Sequence, residues 1–168
     1  MATPSIVTLI DGWLRAEKTL GGIPQWQDAG HHGQWRLVVP LLIDGVSTGL
    51  EIEICAYPNR EPLRFGIVIK QPKCIWRVEY DLTAVHVNSL NAPKDILSTL
   101  IEGPHYHSWA DNRRFVATNS LPKSMKNARK LPDSIKSFEA AFEWFCRETN
   151  IQLPPPGTIR LPARTELF

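Results

Sequence analysis

Cysteine is scarce in this chain: Cys55, Cys74 and Cys146 are its three, far apart and without a Cys-x-x-Cys spacing. That argues against a disulfide framework or a thiolate zinc knuckle and leaves them as small buried hydrophobes. No apolar run approaches the roughly 20 residues needed to span a bilayer, and the N-terminus carries neither a basic leader nor a cleavable apolar segment. A cytosolic protein with no membrane association is therefore expected. The third absence is local. From Arg113 to Lys130 there is no Asp or Glu, while Arg113, Arg114, Lys123, Lys126, Arg129 and Lys130 all fall there. With a formal charge of +2 overall, a run worth +6 leaves the remainder at −4. Charge segregated in this way points to an anionic partner, nucleic acid or an acidic protein, more specifically than overall pI does.

What is present suffices for a core: 168 residues, 43% hydrophobic, with six Trp and six Phe. One domain over residues 1–152 is expected, followed by an extended Pro-rich tail over 153–168, because Pro154-Pro155-Pro156 favours extended chain. Leu161, Leu167 and Phe168 would let that tail lie across the domain surface.

From Ser5, Ile6, Leu9, Ile10, Trp13 and Leu14 recur at helical spacing, giving a helix of about four turns that stops at Gly21-Gly22. Gly30-His31-His32-Gly33 reads as a loop entering a strand from Trp35 to Val39. Pro40 places that strand at an edge or in a bulge, and Asp44-Gly45 signals a hairpin. Three period-two runs follow: Leu50, Ile52, Ile54; then Leu63, Phe65, Ile67, Ile69; then Cys74, Trp76, Val78, Tyr80. Their opposite faces carry Glu51, Glu53, Arg64, Lys70, Arg77, Glu79 and Asp81, suited to cross-strand ion pairs. Beyond Pro132, with Asp133 or Ser134 as cap, Ile135, Phe138, Ala141, Phe142, Phe145 and Cys146 form one helical stripe, with Trp144 off it. The expected fold is α+β: a four- to five-stranded antiparallel meander with N-terminal and C-terminal helices on one face and the other face free for a ligand.

The chemistry-bearing stretch is Gly103-Pro104-His105-Tyr106-His107-Ser108-Trp109, where alternation puts His105, His107 and Trp109 on one side. Three readings stay open on spacing alone. With His86 or Asp111 the pair can ligate a metal ion, although no complete ligand set is evident. Without metal or cofactor, one imidazole takes a proton and another gives one, which suffices to cleave RNA through its own 2′-hydroxyl. Structurally, both can bond backbone carbonyls or pack on Trp109. His86-Val87-Asn88 follows the fourth strand, where Asn88 can orient an imidazole. Arg77 and Glu79 share a strand face, where Arg77 would clamp an anion and Glu79 would orient His86 and raise its pKa.

From Arg77 onward the motifs Arg77-x-Glu79, His86-x-Asn88, Gly103-x-His105-x-His107, Leu121-Pro122, Phe142-x-x-Phe145-Cys146 and Asn150-Ile151 resemble a family of small uncharacterised prokaryotic proteins from mobile-element, toxin–antitoxin or defence neighbourhoods. Glu79 stands where that family usually has Asp, and Ser89 to Asp95 replaces its acidic, Gly-containing turn. The resemblance implies a genomic setting and no settled reaction. A sheet with flanking helices and Tyr57-Pro58 also resembles ubiquitin-conjugating enzymes in outline, but Cys74 and Cys146 sit in apolar patterns that do not suit an accessible thiolate.

The leading expectation is a metal-independent endoribonuclease of toxin or defence type, acting on RNA in preference to DNA. His105 and His107 would exchange protons, with His86 able to replace either. Arg77, Arg113 and Arg114 would hold phosphate, and Lys123, Lys126, Arg129 and Lys130 would form a nucleic-acid track. The competing expectation is a non-enzymatic module, inhibitor or antitoxin-like, that grips an acidic protein or nucleic acid through the basic segment.

Overall fold

The computed structural model describes residues 5–30, 33–116, 120–121 and 124–163. His31, His32, Pro122, Lys123, Leu167 and Phe168 lie outside the described residues. Helix α1 (Ile6–Arg15) opens on Ser5, whose hydroxyl accepts from the Thr8 amide. It ends before Ala16, sooner than the glycine pair suggested, because the chain turns into β1 (Thr19–Leu20). Lys18 is the reason it ends cleanly: its Nζ donates to the carbonyls of Trp13, Leu14 and Ala16 at 2.7, 3.3 and 2.6 Å, satisfying oxygens that a helix terminus leaves orphaned. After β2 (Trp26–Asp28) come the four long strands β3 (Trp35–Ile43), β4 (Val46–Tyr57), β5 (Arg64–Lys70) and β6 (Cys74–Tyr80).

These four form the expected antiparallel meander. Asp44 and Gly45 both take positive φ, 51° and 75°, the backbone of a two-residue type I′ hairpin whose twist matches its strands. Pro40 falls at a register shift between β3 and β4, so the bulge alternative holds, and β3 is interior, since β1 and β2 pair along its other side. The chain then leaves the sheet for a separate hairpin, β7 (Val85–Val87) with β8 (Leu100–Glu102). It returns as β9 (His105–His107) beside β6, and β10 (Arg129–Lys130) closes that end. The strand order is β1-β3-β4-β5-β6-β9-β10, with β2 also on β3, so the sheet is larger than the expected four or five strands. Between β9 and β10 lie the short α2 (Trp109–Asn112) and a 3-10 turn over Arg113–Phe115.

One face of the sheet carries Leu37, Val39, Leu41, Leu50, Ile52, Ile54, Phe65, Ile67, Ile69, Trp76, Val78 and Tyr80, in one core with Ile10 of α1 and Phe138, Phe142 and Phe145 of α3 (Phe138–Glu148). Ser137, not Asp133 or Ser134, caps α3 by accepting from the Ala140 amide. Trp144 is half-buried against Trp76 and Tyr106, with ring centroids 5.6 and 4.9 Å away, and so closes the β6–β9 end of the core. Asn150, at φ 53°, takes the left-handed conformation that ends α3, while the Ile151 amide donates back to the Cys146 carbonyl at 2.8 Å. The tail crosses β2, where the Trp26 indole donates to the Arg160 carbonyl at 2.6 Å and Ile159 joins the core. Among the described residues no helix is long and apolar enough to cross a membrane.

On the opposite face the charges pair across strands as their alternation suggested. Glu53 takes Arg36 at 2.6 Å and also Lys70, while Lys70 lies 3.8 Å from Glu51 and Arg64 lies 3.2 Å from Asp81. Burial pushes the Cys74 and Cys146 thiols up to about 11 and about 12, so neither is a thiolate at neutral pH.

Candidate functional site

Register places the site. Arg77 stands opposite His107 and Glu79 opposite His105, so all four side chains project from the polar face of β6 and β9, while Tyr106, opposite Val78, packs on the helix side. That part of the face is not open. The β7–β8 hairpin covers it, turning His86 and Ile101 inward and Val85, Val87 and Leu100 outward. His86, His105 and His107 converge, with ring centroids 4.7 to 5.3 Å apart. His105 is 2% exposed and His107 0%, with His86 half-buried above them.

Each ring has one nitrogen committed, and the partner fixes its tautomer. A carbonyl only accepts, so His86 Nε2–H donates to the Lys126 carbonyl at 3.1 Å and His105 Nδ1–H to the Gly103 carbonyl at 3.0 Å. Burial favours the neutral His86 ring, whose lone pair is then on Nδ1, and the Asn88 side chain bonds that imidazole. A guanidinium only donates, so Arg77 Nη2 gives its hydrogen to His107 Nε2 at 2.9 Å. The His107 proton then sits on buried Nδ1, where the ring's further contact is a poorly aligned one with the Asn127 backbone, and Arg77 Nε is buried without a partner among the described residues. Burial, then the Arg77 charge, push His107 down to about 2, and burial also lowers His86. His107 is therefore neutral at any physiological pH and cannot serve as an imidazolium acid.

Glu79 lies 3.7 Å from His105 Nε2 and 3.9 Å from Arg77. About a third of each of the Arg77 and Glu79 side chains reaches solvent, so the two link the buried imidazoles to the outside. Gly103, at φ 82°, makes the turn that aims β9, and its amide bonds the Ala84 carbonyl at 2.8 Å.

A set of buried asparagines, only one of which the sequence pattern had singled out, holds the cover down. Asn88 donates to the carbonyls of Ser98 and Ala128 and accepts from the Ala128 amide at 2.7 Å. Asn112 exchanges a reciprocal pair with the Asn127 backbone, both at 2.9 Å, and Asn127 reaches the Asp111 carbonyl and the Ser89 amide. These amides stand in for strand backbone and fasten segments about 40 residues apart. No local period announces such bonds, so Asn112 and Asn127 had no signal in the sequence.

The basic run is divided in its setting. Arg113 pairs with Asp11 at 2.5 Å, Arg129 makes a two-pronged bond to Asp111 at 2.7 and 2.8 Å and reaches Asp95 at 2.6 Å, and Lys130 lies 3.3 Å from Asp133. Bonding to Asp111 raises the Arg129 pKa further above its ordinary value. Arg129 also lowers the Asp95 carboxyl, with Arg114 adding its charge there. Lys126 is exposed at the rim, directly above His86 through its own carbonyl, and Lys123 is outside the described residues. A concavity of about 520 Å³ lined by Asp11, Trp76, Tyr106, Trp109 and Arg129 lies on the helix side, away from the histidines.

No protein-family model, curated protein or solved structure matches the chain.

Proposed function

We propose that the protein cleaves phosphodiester bonds in nucleic acid, RNA in preference to DNA, at the His86–His105–His107 cluster. The observation that supports this reading is the position of Arg77: bonded to His107 at one end of its guanidinium, exposed along a third of its side chain, and so able to carry a phosphate to the imidazoles. Lys126 at the rim adds a second cation. The ribose 2′-hydroxyl oxygen attacks the adjacent phosphorus, the bond to the 5′ oxygen breaks, the cluster accepts the hydroxyl proton and the departing 5′ oxygen takes one from solvent. DNA, lacking the 2′-hydroxyl, is inert. The expected exchange of protons between His105 and His107 is replaced here, because His107 stays neutral; His86 is the ring nearest the substrate. A toxin or defence setting, from the resemblance of the histidine motifs, belongs to the same proposal.

The test is a 5′-labelled RNA and its DNA counterpart incubated with the protein in buffer containing divalent cations. Cleavage of RNA alone, reduced at least about 100-fold in Arg77→Ala and His86→Ala with unchanged circular dichroism, is the expected outcome. RNA left intact at stoichiometric protein, or cut equally well by both variants, rejects the reading. A non-enzymatic module working through the basic segment is less well supported, since Arg113, Arg129 and Lys130 already have carboxylate partners.

A further inference from the structure

We infer that His86, His105 and His107 form a binding site for a single divalent transition metal ion of the zinc class, with Glu79 able to complete the ligand set. The inference rests on the reading of the cluster as the reaction centre and supplies its cofactor. One ring nitrogen from each histidine lies within 4.8 Å of one from each of the others. Zinc ligands at about 2.0–2.1 Å stand roughly 3.4 Å apart in a tetrahedron, so small side-chain rotations of the three rings close the site.

Two features favour a cation there. His86 and His105 each give one N–H to a backbone carbonyl, the kind of outer bond that orients a metal-ligating imidazole. Glu79 brings a carboxylate oxygen to 3.7 Å from His105 Nε2, adding an anionic donor to the cluster. The asparagine-fastened cover supplies the rigid outer layer that holds such ligands in place.

Arg77 is the guard of the site. Its guanidinium occupies the His107 Nε2 lone pair and must swing away for that nitrogen to ligate, which its unbonded Nε and solvent-reaching head permit. Phosphate drawing Arg77 outward would therefore favour the metal, and the metal would favour phosphate. The ion would lower the pKa of a water held there, and the resulting hydroxide would accept the 2′-hydroxyl proton in the proposed cleavage.

The experiment is calorimetric titration of the chelator-treated full chain with zinc, and cobalt titration read in the visible spectrum. One equivalent should bind, with cobalt bands of a four- or five-coordinate nitrogen site. His86→Ala, chosen because its ring is the most exposed of the three and the hairpin can keep its pairing, should weaken binding at least about 100-fold. Arg77→Gln should tighten it about tenfold or more by removing a competing cation. Absence of saturable binding, or equal affinity in His86→Ala, overturns the inference, as does weaker binding in Arg77→Gln. Metal binding without RNA cleavage rejects only the proposed reaction; cleavage by metal-free protein that binds no zinc rejects only the metal.

Discussion

Lys18 is the clearest case of a single residue whose chemistry the fold bends. It is wholly buried, has three carbonyls for company and no carboxylate partner among the described residues, and burial draws its pKa down from 10.5 to about 8. Below pH 8 folded and unfolded chains are both protonated here, and stability is flat. Between pH 8 and 10.5 the unfolded chain holds a proton that the folded one has released, so stability rises with pH, by up to about 3 kcal/mol at 1.36 kcal/mol per unit. Urea denaturation of the wild type against Lys18→Met across that window should show the rise only in the wild type; parallel curves would refute it. Asn127→Ala removes the hydrogen bonds its buried amide makes to the Ser89 and Asp111 backbone, and should cost about 2–3 kcal/mol, measured the same way.

Among elements, the short turn before β9 decides where two histidines point. A side chain at residue 103 has room, since the nearest atom to an added Cβ is 4.0 Å away, yet φ of 82° strains any L-residue. Gly103→Ala should thus destabilise by about 1–2 kcal/mol without a clash, and loosen the His105 Nδ1 bond to the Gly103 carbonyl, visible by NMR of the imidazole nitrogens. The long strands β3 to β6 were legible from period two and the Asp44-Gly45 turn because each is long enough to display a pattern. Strands β1, β2 and β10 were not, being two or three residues long and defined only by remote partners. His105 and His107 sharing a face followed from alternation. That this face would be roofed did not, because the roof is fastened by Asn88 and Asn127 reaching across the chain. The expectation of a free sheet face does not hold over β6 and β9, which the β7–β8 hairpin covers.

At the scale of the whole molecule, the chain's uneven charge is largely reconciled by folding. Asp11, Asp95, Asp111 and Asp133 come from outside the run or from within the fold's turns to meet Arg113, Arg129 and Lys130. Six free cations on single-stranded RNA would give a salt slope near −4 at about 0.7 per contact; with Arg113, Arg129 and Lys130 engaged by carboxylates, a shallower slope is expected in binding titrations over a range of potassium chloride. A slope of −4 would mean that the pairs open for RNA. The Lys18 region has a further consequence for how the polypeptide behaves as one object. The Asn150 side chain donates to the Arg15 carbonyl, its backbone carbonyl accepts from the Lys18 amide, and Lys18 and Ile151 form a parallel bridge, so the exits of α1 and α3 are knotted to each other. Opposite ends of the sequence thereby melt together: trimming either terminal helix would unmoor its counterpart, and a protease could release neither alone.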